Sequence, residues 1–544
     1  MAFSIDRREL MVGAGAAALL AAAGGLALPD AAAQVVPGEP PRRMRHDYRR
    51  RGRACFDYRL DAAKLSRRRN RPMLFPENNG EEDQFPDRRW NYSKGLQHDA
   101  LGHVDPAAYD ALLHAVTMGA PADFDAIPIA GTRKLVSPQA GLAFDLEGPD
   151  SFGVGIRPAP RADAPEGSAE TAEVYWMALL RDVPFADWET DALVADGCAD
   201  LSKLSDYRAP KVGGSVTPAT LFRGNTDGDL AGPWVSQFLW RDVPYGVLTV
   251  SQRVRSALPG ADFVTTFDEW LAVQNGAPRA KEALAATPTY VRSLRDLVYY
   301  VHYDQLYEAY LNACMILLGL GAPFDPGIPS AHWTNQDGFA EFGGPHILSM
   351  LTEVATRALK AVWAQKWFVH RRLRPEELAG RIDNQLAGRF TYQFDAEILN
   401  SAALPLVHQQ HGSYLLPLAF PEGCPLHPSY ASGHATVAGA CVTMLKAFFD
   451  ESWELPDPSQ ASADGTSLEP WNGTALTVGN ELNKVASNIA SARNAAGVHW
   501  RTDFVEGVLL GETVALGILE EQKASFNEKF NWTVTRFDGT TITI

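Results

Sequence analysis

Cysteine is scarce in this chain of 544 residues. The five cysteines are scattered along it, as Cys55, Cys198, Cys314, Cys424 and Cys441. Their spacing fits neither a metal-binding cluster nor a disulfide framework. The phosphate-binding patterns G-x-x-x-x-G-K-[ST] and G-x-G-x-x-G are also missing from the sequence, so it gives no sign of a nucleotide-binding domain.

Positive charge is in deficit as well, because the formal net charge is −16. Residues 41–71 are the exception, with 13 arginine and lysine residues against three aspartates. The acidic remainder has little with which to neutralise phosphates, so nucleic acid is excluded as the main partner. We assign residues 34–85 to a basic N-terminal arm, which either contacts a polyanion or lies on the acidic body of the same protein.

Only one long apolar run is present, at the N-terminus. Arg7 and Arg8 precede a Gly/Ala-rich apolar run over residues 11–28, and small residues at 31–33 offer a cleavage site. This pattern predicts a twin-arginine-type export signal over residues 1–33. The alternative is a membrane anchor, but about 18 weakly hydrophobic residues are marginal for a span. The sequence therefore predicts a periplasmic or secreted protein with no membrane span in the mature chain.

The rest of the chain has a globular composition, with 46% hydrophobic residues and 13 Trp, 16 Tyr and 25 Phe. Residues 86–285 mix short helical stretches with Gly/Pro-rich connections, which predicts an N-terminal half of helices and loops. From 286 to 531 the apolar periodicity predicts a helical bundle that carries the site. The main predicted helices are Tyr290–Leu320, His346–Leu373, His434–Phe449, Ala475–Ala495 and Thr502–Lys523.

The C-terminal residues 532–544 alternate β-branched and polar side chains around Asp538-Gly539. Such a dipeptide between alternating residues predicts a β-hairpin. The predicted fold class is therefore mainly α, a helical bundle with a few short strands and a C-terminal β-hairpin.

The first of three segments rich in cations and histidines runs from Trp363 to Pro375. On one helix, Lys366 and Arg374 would lie about 80° apart around the axis and about 12 Å apart along it. Their long side chains would then converge on one object beside the helix. Pro375 predicts the end of this helix.

The second segment runs from His427 to His434 and leads directly into a predicted helix. Ser432 and Gly433 therefore stand at a helix N-terminus, where free backbone N–H groups and the positive end of the helix dipole bind anions. Gly433 lets an anion approach the backbone closely, because it has no Cβ.

The third segment runs from Arg493 to Asp503. Gly497 interrupts the helix, so Arg493 and His499 are predicted to lie on either side of a turn. Asp503 follows His499 by four residues and is placed to orient its ring.

Together the three segments supply three strong cations, a hydroxyl, a backbone donor and three imidazoles. This set is complementary to a compact tetrahedral oxyanion, with one imidazole left as a nucleophile or metal ligand. Each feature alone has an ordinary explanation as a solvated helix face, a helix cap or a structural histidine. Their joint occurrence on consecutive helices is far more specific.

These segments resemble the signature of the vanadium-dependent haloperoxidase and type 2 phosphatidic acid phosphatase superfamily, which is K-x6-R-P, P-S-G-H and S-R-x5-H. The chain is most similar to the algal bromoperoxidases, which have K-x7-R-P and a histidine seven residues before the second-motif histidine, as His427 is here. Residues 92–98 and 228–238 also resemble segments of those enzymes. Ala431 and Ala492 depart from the signature Pro and Ser, neither of which supplies an essential side-chain donor.

The resemblance implies a haloperoxidase-like fold with vanadate as cofactor. The residues implied to hold its equatorial oxygens are Lys366, Arg374, Ser432, Gly433 and Arg493. His499 is implied as the axial vanadium ligand and His434 as the acid/base group. Trp363 and His427 are implied to line the halide pocket, and Lys366 and His427 to assist catalysis. The family gives His370 no role, and we interpret it as structural.

The implied activity is the oxidation of halide by hydrogen peroxide to hypohalous acid, which halogenates a small organic acceptor. Bromide is the expected halide, since it is easier to oxidise than chloride, and a homo-oligomer is expected by analogy. One alternative is a periplasmic acid phosphatase that uses the same pocket with His499 as nucleophile. Another is a non-catalytic oxyanion-binding protein, although a pure binder needs no proton shuttle and so does not explain His427 and His434.

Overall fold

The computed structural model describes residues 48–69 and 77–544. The predicted export signal, residues 1–33, and part of the basic arm lie outside the described residues. Within the arm, helix α1 spans Tyr48–Arg69. Its Tyr58 hydroxyl donates a hydrogen bond of 3.1 Å to the carbonyl oxygen of Glu521. This helix of the arm therefore contacts the C-terminal half of the chain.

The structure is mainly helical, as the sequence predicted, with sixteen α-helices among the described residues. After α1 they are α2 (Glu81–Gln84), α3 (Pro106–Met118), α4 (Pro121–Asp125), α5 (Pro165–Leu179), α6 (Ala192–Lys203), α7 (Phe267–Gln274), α8 (Leu294–Tyr303), α9 (Glu308–Leu320), α10 (Gly344–Ala364), α11 (Pro375–Leu386), α12 (Ala396–Leu399), α13 (Ala403–His411), α14 (Gly433–Phe448), α15 (Val478–Ala495) and α16 (Arg501–Lys523). A π-helical turn, Gln365–His370, continues α10.

Strands are short and form three separate antiparallel hairpins in the described residues. They are β1 (Val243–Tyr245) with β2 (Leu248–Val250), β3 (Ser459–Ala461) with β4 (Leu468–Pro470), and β5 (Thr533–Thr535) with β6 (Thr541–Thr543). In the last hairpin Thr533 pairs with Thr543, and Gly539 takes a φ of 80° in the turn. The predicted C-terminal hairpin is thus confirmed, because the Asp-Gly pair supplies a residue that adopts positive φ without a Cβ clash.

Helix α14 lies at the centre of the bundle and packs against α10, α15 and α16. Its side chains are small or apolar and are buried along almost its whole length. Gly439 of α14 and Gly511 of α16 lie so close to the facing backbone that a Cβ at either position would overlap it. These glycines let the two helices approach closely and bring the N-termini of α14 and α16 together.

Two predicted helix boundaries in the bundle are wrong. The predicted helix Tyr290–Leu320 is two helices, α8 and α9, separated by residues 304–307. The segment predicted as the helix His346–Leu373 is α-helical only as far as Ala364. The π-helical turn that follows ends at His370. Apolar periodicity runs through both interruptions, so the sequence pattern did not reveal them.

The two halves of the chain contribute to one large hydrophobic core. Buried residues from Trp90 and helix α5 in the N-terminal half join those of α14, α15 and α16. The boundary at residues 285/286 stays a prediction. None of the described helices combines the length and apolar character that crossing a membrane requires.

Candidate active site

Lys366 lies in the π-helical turn and is fully buried. Its Nζ donates hydrogen bonds to the carbonyl oxygens of Pro428, at 2.8 Å, and Ser429, at 2.6 Å. Burial first, then the neighbouring charges of Arg374 and Arg493, hold the pKa of Lys366 well below its usual range, although Asp503 opposes them. The two hydrogen bonds attach the first segment, residues 363–375, to the second segment, residues 427–434.

Arg374 does not lie on the same helix as Lys366, which corrects the sequence prediction. The chain turns at Arg371, where φ is 39°, and Arg374 caps the N-terminus of α11, with Pro375 as its first residue. Proline fits there because the first turn of a helix needs no N–H donor from it. Pro375 therefore marks the start of a helix, although it was predicted to mark an end.

The Arg374 guanidinium is fully buried and contacts both the second segment, residues 427–434, and the third segment, residues 493–503. It donates to the carbonyl oxygens of His427, at 2.9 Å, and Val498, at 2.7 Å. It also lies 2.9 Å from Nδ1 of His427 and 3.0 Å from Nε2 of His499. A single side chain thus fixes both histidines relative to each other.

The second motif forms the N-terminus of α14, as predicted. Ser432 is the N-cap, and its backbone N–H donates to the Asp503 carbonyl oxygen at 2.9 Å. A Cβ on Gly433 would lie 3.0 Å from the Trp363 ring, so the helix begins directly beside that indole. Trp363 also packs on His427, with ring centroids 4.7 Å apart. The predicted halide-pocket residues therefore adjoin the predicted anion-binding residues.

His499 and Asp503 make the contact that their spacing predicted. Gly497 turns the chain with a φ of 81°, and His499 Nδ1 lies 2.6 Å from Asp503 Oδ2. The bond to the carboxylate places a proton on Nδ1 and leaves Nε2 facing Arg374. Burial, and then the charges of Arg374, Lys366 and Arg493, hold the pKa of His499 well below its usual range. Its imidazole is therefore neutral, with Nε2 available as a ligand.

Arg493 completes the group of buried cations. Its Nη1 donates to the Val301 carbonyl oxygen at 3.2 Å, while its Nε is buried without a partner among the described residues. Burial lowers the pKa of Arg493 to about 10 even though Asp304 opposes this shift. A buried guanidinium with an unused donor is suited to an anionic ligand.

His434, on the first turn of α14, bonds to a residue that sequence reasoning missed. Its Nε2 lies 3.1 Å from Oδ1 of Asp304, in the break between α8 and α9. The pKa of His434 is lowered by burial and by Arg493, while Asp304 opposes the shift. The sequence offered no signal for Asp304, because the region was predicted as one continuous helix.

A family model described as the VCPO second helical-bundle domain matches residues 346–528. The chain is 39% identical over 589 residues to a vanadium-dependent bromoperoxidase of Corallina pilulifera, covering 91% of this chain and 98% of the relative. It is 35% identical over 491 residues to a vanadium-dependent bromoperoxidase of Ascophyllum nodosum, covering 86% of this chain and 87% of that relative. The chain belongs to the vanadium-dependent bromoperoxidase family.

The fold agrees with that assignment. The solved structure of a second vanadate-dependent bromoperoxidase from Ascophyllum nodosum, described as homohexameric, matches with a TM-score of 0.88 and 29% identity. The match covers 97% of this chain and 95% of that one. The resemblance to algal bromoperoxidases and the predicted mainly helical fold are therefore confirmed.

A layer of buried ion pairs behind the site was also missed. Arg372 donates to Oδ1 of Asp503 at 3.1 Å and to Thr502 Oγ1 at 3.0 Å, and it bonds Glu170 of α5. Arg372 thus fixes the carboxylate that orients His499. The sequence could not show that Glu170 is the partner of Arg372, because the two residues are 202 positions apart.

His370 lies outside this group, in agreement with its interpretation as structural. It is buried, packs edge-on against Tyr430 with ring centroids 4.9 Å apart, and neither ring nitrogen has a partner among the described residues. Burial, and then Arg371 and Arg372, lower the pKa of His370 to about 3, so the ring is uncharged.

Proposed function

We propose that this chain is a vanadate-dependent haloperoxidase that uses hydrogen peroxide to oxidise halide, bromide in particular. The observation that carries the proposal is the buried His499 imidazole, whose Nδ1 is bonded to Asp503 and whose pKa is lowered by burial and then by three neighbouring cations. The relatives named above are vanadium-dependent bromoperoxidases over nearly the whole chain, which supports both the cofactor and the reaction.

The residues of the site fit vanadate. Lys366, Arg374 and Arg493 bring three positive charges together in a buried place, and Ser432 and Gly433 add the positive end of α14. We assign these five residues to the vanadate oxygens and His499 Nε2 to the vanadium. Imidazole nitrogen with a carboxylate on its other nitrogen is a common ligand arrangement. When bound, vanadate supplies a Lewis acid that activates hydrogen peroxide toward halide.

The side chains around this position have separate tasks. Arg374 and Arg493 offset negative charge, and Lys366 provides a fixed ammonium that withdraws electron density from an oxygen bound beside it. His434, held by Asp304, accepts the proton of the incoming peroxide and returns it to the departing product. Its lowered pKa leaves the ring neutral near pH 7, which is the state that accepts a proton. Trp363 and His427 form the wall at which halide approaches.

The direct test is an assay of the purified protein with and without orthovanadate. We expect bromination of a phenolic dye to require both vanadate and peroxide. His499→Ala should abolish this activity, with a loss of about a thousandfold or more, because the metal ligand is removed. The matched control is His408→Ala on α13, which should retain full activity. Undiminished bromination by His499→Ala would refute the ligand assignment.

The same preparation tests the phosphatase alternative. Because the relatives are bromoperoxidases, the comparisons do not favour it. We expect no more than slow hydrolysis of an aryl phosphate by the vanadate-free protein. Fast hydrolysis that vanadate inhibits, together with no bromination, would instead support a phosphatase. Tight vanadate binding without turnover of either substrate would support a pure oxyanion binder.

Assembly and location are further parts of the proposal. We expect a homo-oligomer, since the Ascophyllum relative is described as homohexameric, and light scattering after size exclusion would measure it. Export to the periplasm or medium is expected from Arg7 and Arg8. Replacing both arginines by lysine should retain the protein in the cytoplasm, while unchanged export would contradict the twin-arginine assignment.

A further inference from the structure

A cavity of about 270 Å³ adjoins the proposed vanadate site, and Asp304 is part of its wall. This is the carboxylate that bonds His434 at 3.1 Å, so the cavity and the site have one residue in common. The other walls come from α8, α9 and the segment that follows β2. The roles assigned above to the site residues do not use this cavity.

Part of the cavity wall is aromatic, because Tyr299, Tyr300 and Tyr303 of α8 all line it. The rings of Tyr299 and Tyr303 are nearly parallel, with centroids 6.5 Å apart. Their hydroxyls donate to other groups of the protein, the Ala419 carbonyl oxygen and Glu282. Tyr300 is only 9% exposed, and its hydroxyl lies beside the Asn312 side chain. The three tyrosines therefore offer ring surface, which suits a flat aromatic ligand.

The cavity wall also offers hydrogen-bond acceptors. Asp304 and Glu308 contribute carboxylates, and Asn312 lines the cavity with its amide nitrogen already donated to Gln252 at 3.3 Å. Arg253 and Arg255 border the cavity, so the charges of its four ionised residues cancel. A ligand matched to this wall is neutral and carries an O–H or N–H donor.

We propose that the cavity binds a small neutral phenol as the organic acceptor of the halogenation reaction. The proposal rests on the proposed function, because hypobromous acid is the co-reactant. In the reaction a ring carbon forms the C–Br bond, the Br–O bond breaks, and the displaced ring proton joins the hydroxide to leave water. A phenol O–H that donates to Asp304 or Glu308 makes the ring more electron-rich. A phenol bound beside Asp304 also meets hypobromous acid before acceptors in bulk water do.

The test is a competition between 4-methylphenol, which is small enough for the cavity, and phenol red, which is a much larger dye. An equal mixture is brominated either by the vanadate-loaded enzyme or by reagent hypobromite delivered at the same rate. We expect the enzyme to favour 4-methylphenol at least about threefold more than the reagent does. Because the readout is a ratio of products, it does not depend on how much hypobromous acid a variant makes.

Two variants fill the cavity from different sides, Leu284→Trp at its edge and Asn312→Phe in its wall. Both should lower the product ratio to that of reagent hypobromite. The matched control is Leu258→Trp, which changes an exposed leucine outside the cavity wall and should retain the wild-type ratio. Leu284 is 37% exposed, so its replacement is compatible with folding even if Asn312→Phe is not.

A binding measurement that needs no turnover accompanies the competition. Saturation-transfer NMR of 4-methylphenol with the vanadate-free protein should give a signal that Leu284→Trp abolishes and Leu258→Trp retains. No signal with the wild type, or a wild-type product ratio equal to that of the reagent, would overturn the cavity proposal. Formation of triiodide from iodide and peroxide, without any phenol, distinguishes this failure from a failure of the proposed function. Absent triiodide would overturn both.

Discussion

Two groups of buried cations in the same core differ in how their charge is balanced. The paired group consists of Arg371 with Glu82, Arg372 with Glu170 and Arg501 with Glu173. The unpaired group consists of Lys366, Arg374 and Arg493, whose hydrogen-bond partners are backbone carbonyl oxygens and histidine nitrogens. Arg372 and Arg374 are both buried, so the two groups do not differ in their depth in the fold.

The pKa shifts of Arg371, Lys366 and Arg493 show the difference. Burial alone would lower the pKa of Arg371, but its bonds to Glu82 outweigh burial and raise it. For Lys366 and Arg493 burial prevails, and their pKa values fall. A buried cation without its own carboxylate is costly unless an anion joins it. In this comparison the three paired arginines each have a glutamate partner, whereas the three cations of the candidate site have none, as an anion-binding site requires.

The largest expected effect comes from breaking a member of the paired group. Arg371→Met leaves the Glu82 carboxylate buried without its cation, which should lower the free energy of unfolding by about 3–5 kcal/mol. Lys366→Met, measured without vanadate, should leave stability unchanged or raise it. Urea denaturation measures both. Adding Glu82→Leu to Arg371→Met should restore most of the loss, and equal losses from Arg371→Met and Lys366→Met would erase the distinction.

The next effect is stabilisation by bound vanadate. Orthovanadate at about one hundred times its dissociation constant should raise the free energy of unfolding by about 2.7 kcal/mol. Lys366→Met should lose most of this gain, because one of the three cations is gone. Thermal denaturation with and without vanadate measures the shift. A gain that is equal in wild type and Lys366→Met would place the bound anion elsewhere.

Asp503 connects the paired group to the candidate site, since it accepts hydrogen bonds from both Arg372 and His499. Asp503→Asn should weaken vanadate binding by about 10–100-fold, because the orientation and proton position of the His499 ring are lost. The measurement is bromination rate against vanadate concentration. Asp229→Asn, a buried aspartate bonded to Thr226 and Ser487, is the control and should bind vanadate normally.

The smallest expected effect concerns His370, a buried group that stays uncharged among the paired arginines. Its pKa is about 3 in the folded chain, against about 6.5 when unfolded, so its contribution to stability is complete above pH 6.5. That contribution is lost as the pH falls, by about 2 kcal/mol between pH 6.5 and pH 5. His370→Phe should therefore reduce the loss of stability on acidification, measured by urea denaturation at pH 8 and pH 5. An unchanged pH dependence would contradict this assignment.

The sequence predicted local contacts of the candidate site better than the elements that carry them. Helix α14 begins at Gly433, one residue before the predicted start at His434, because small residues and a serine cap are local signals. The contact between His499 and Asp503 likewise follows from their spacing after a glycine turn. The break at Asp304 and the π-helical turn at Lys366 were not predictable in this way. Both interrupt an apolar pattern that continues without change, and only packing against neighbouring helices decides where the backbone departs from it.

The sequence by itself determined the family and the mainly helical fold, since these depend on residue type and local spacing. The tertiary structure alone decided which buried cations have a carboxylate and which do not. Glu82 and Arg371 are 289 residues apart, and Glu170 and Arg372 are 202 residues apart. Such pairing depends on the folded positions of distant segments, because charge acts through space over a few ångströms and not along the chain.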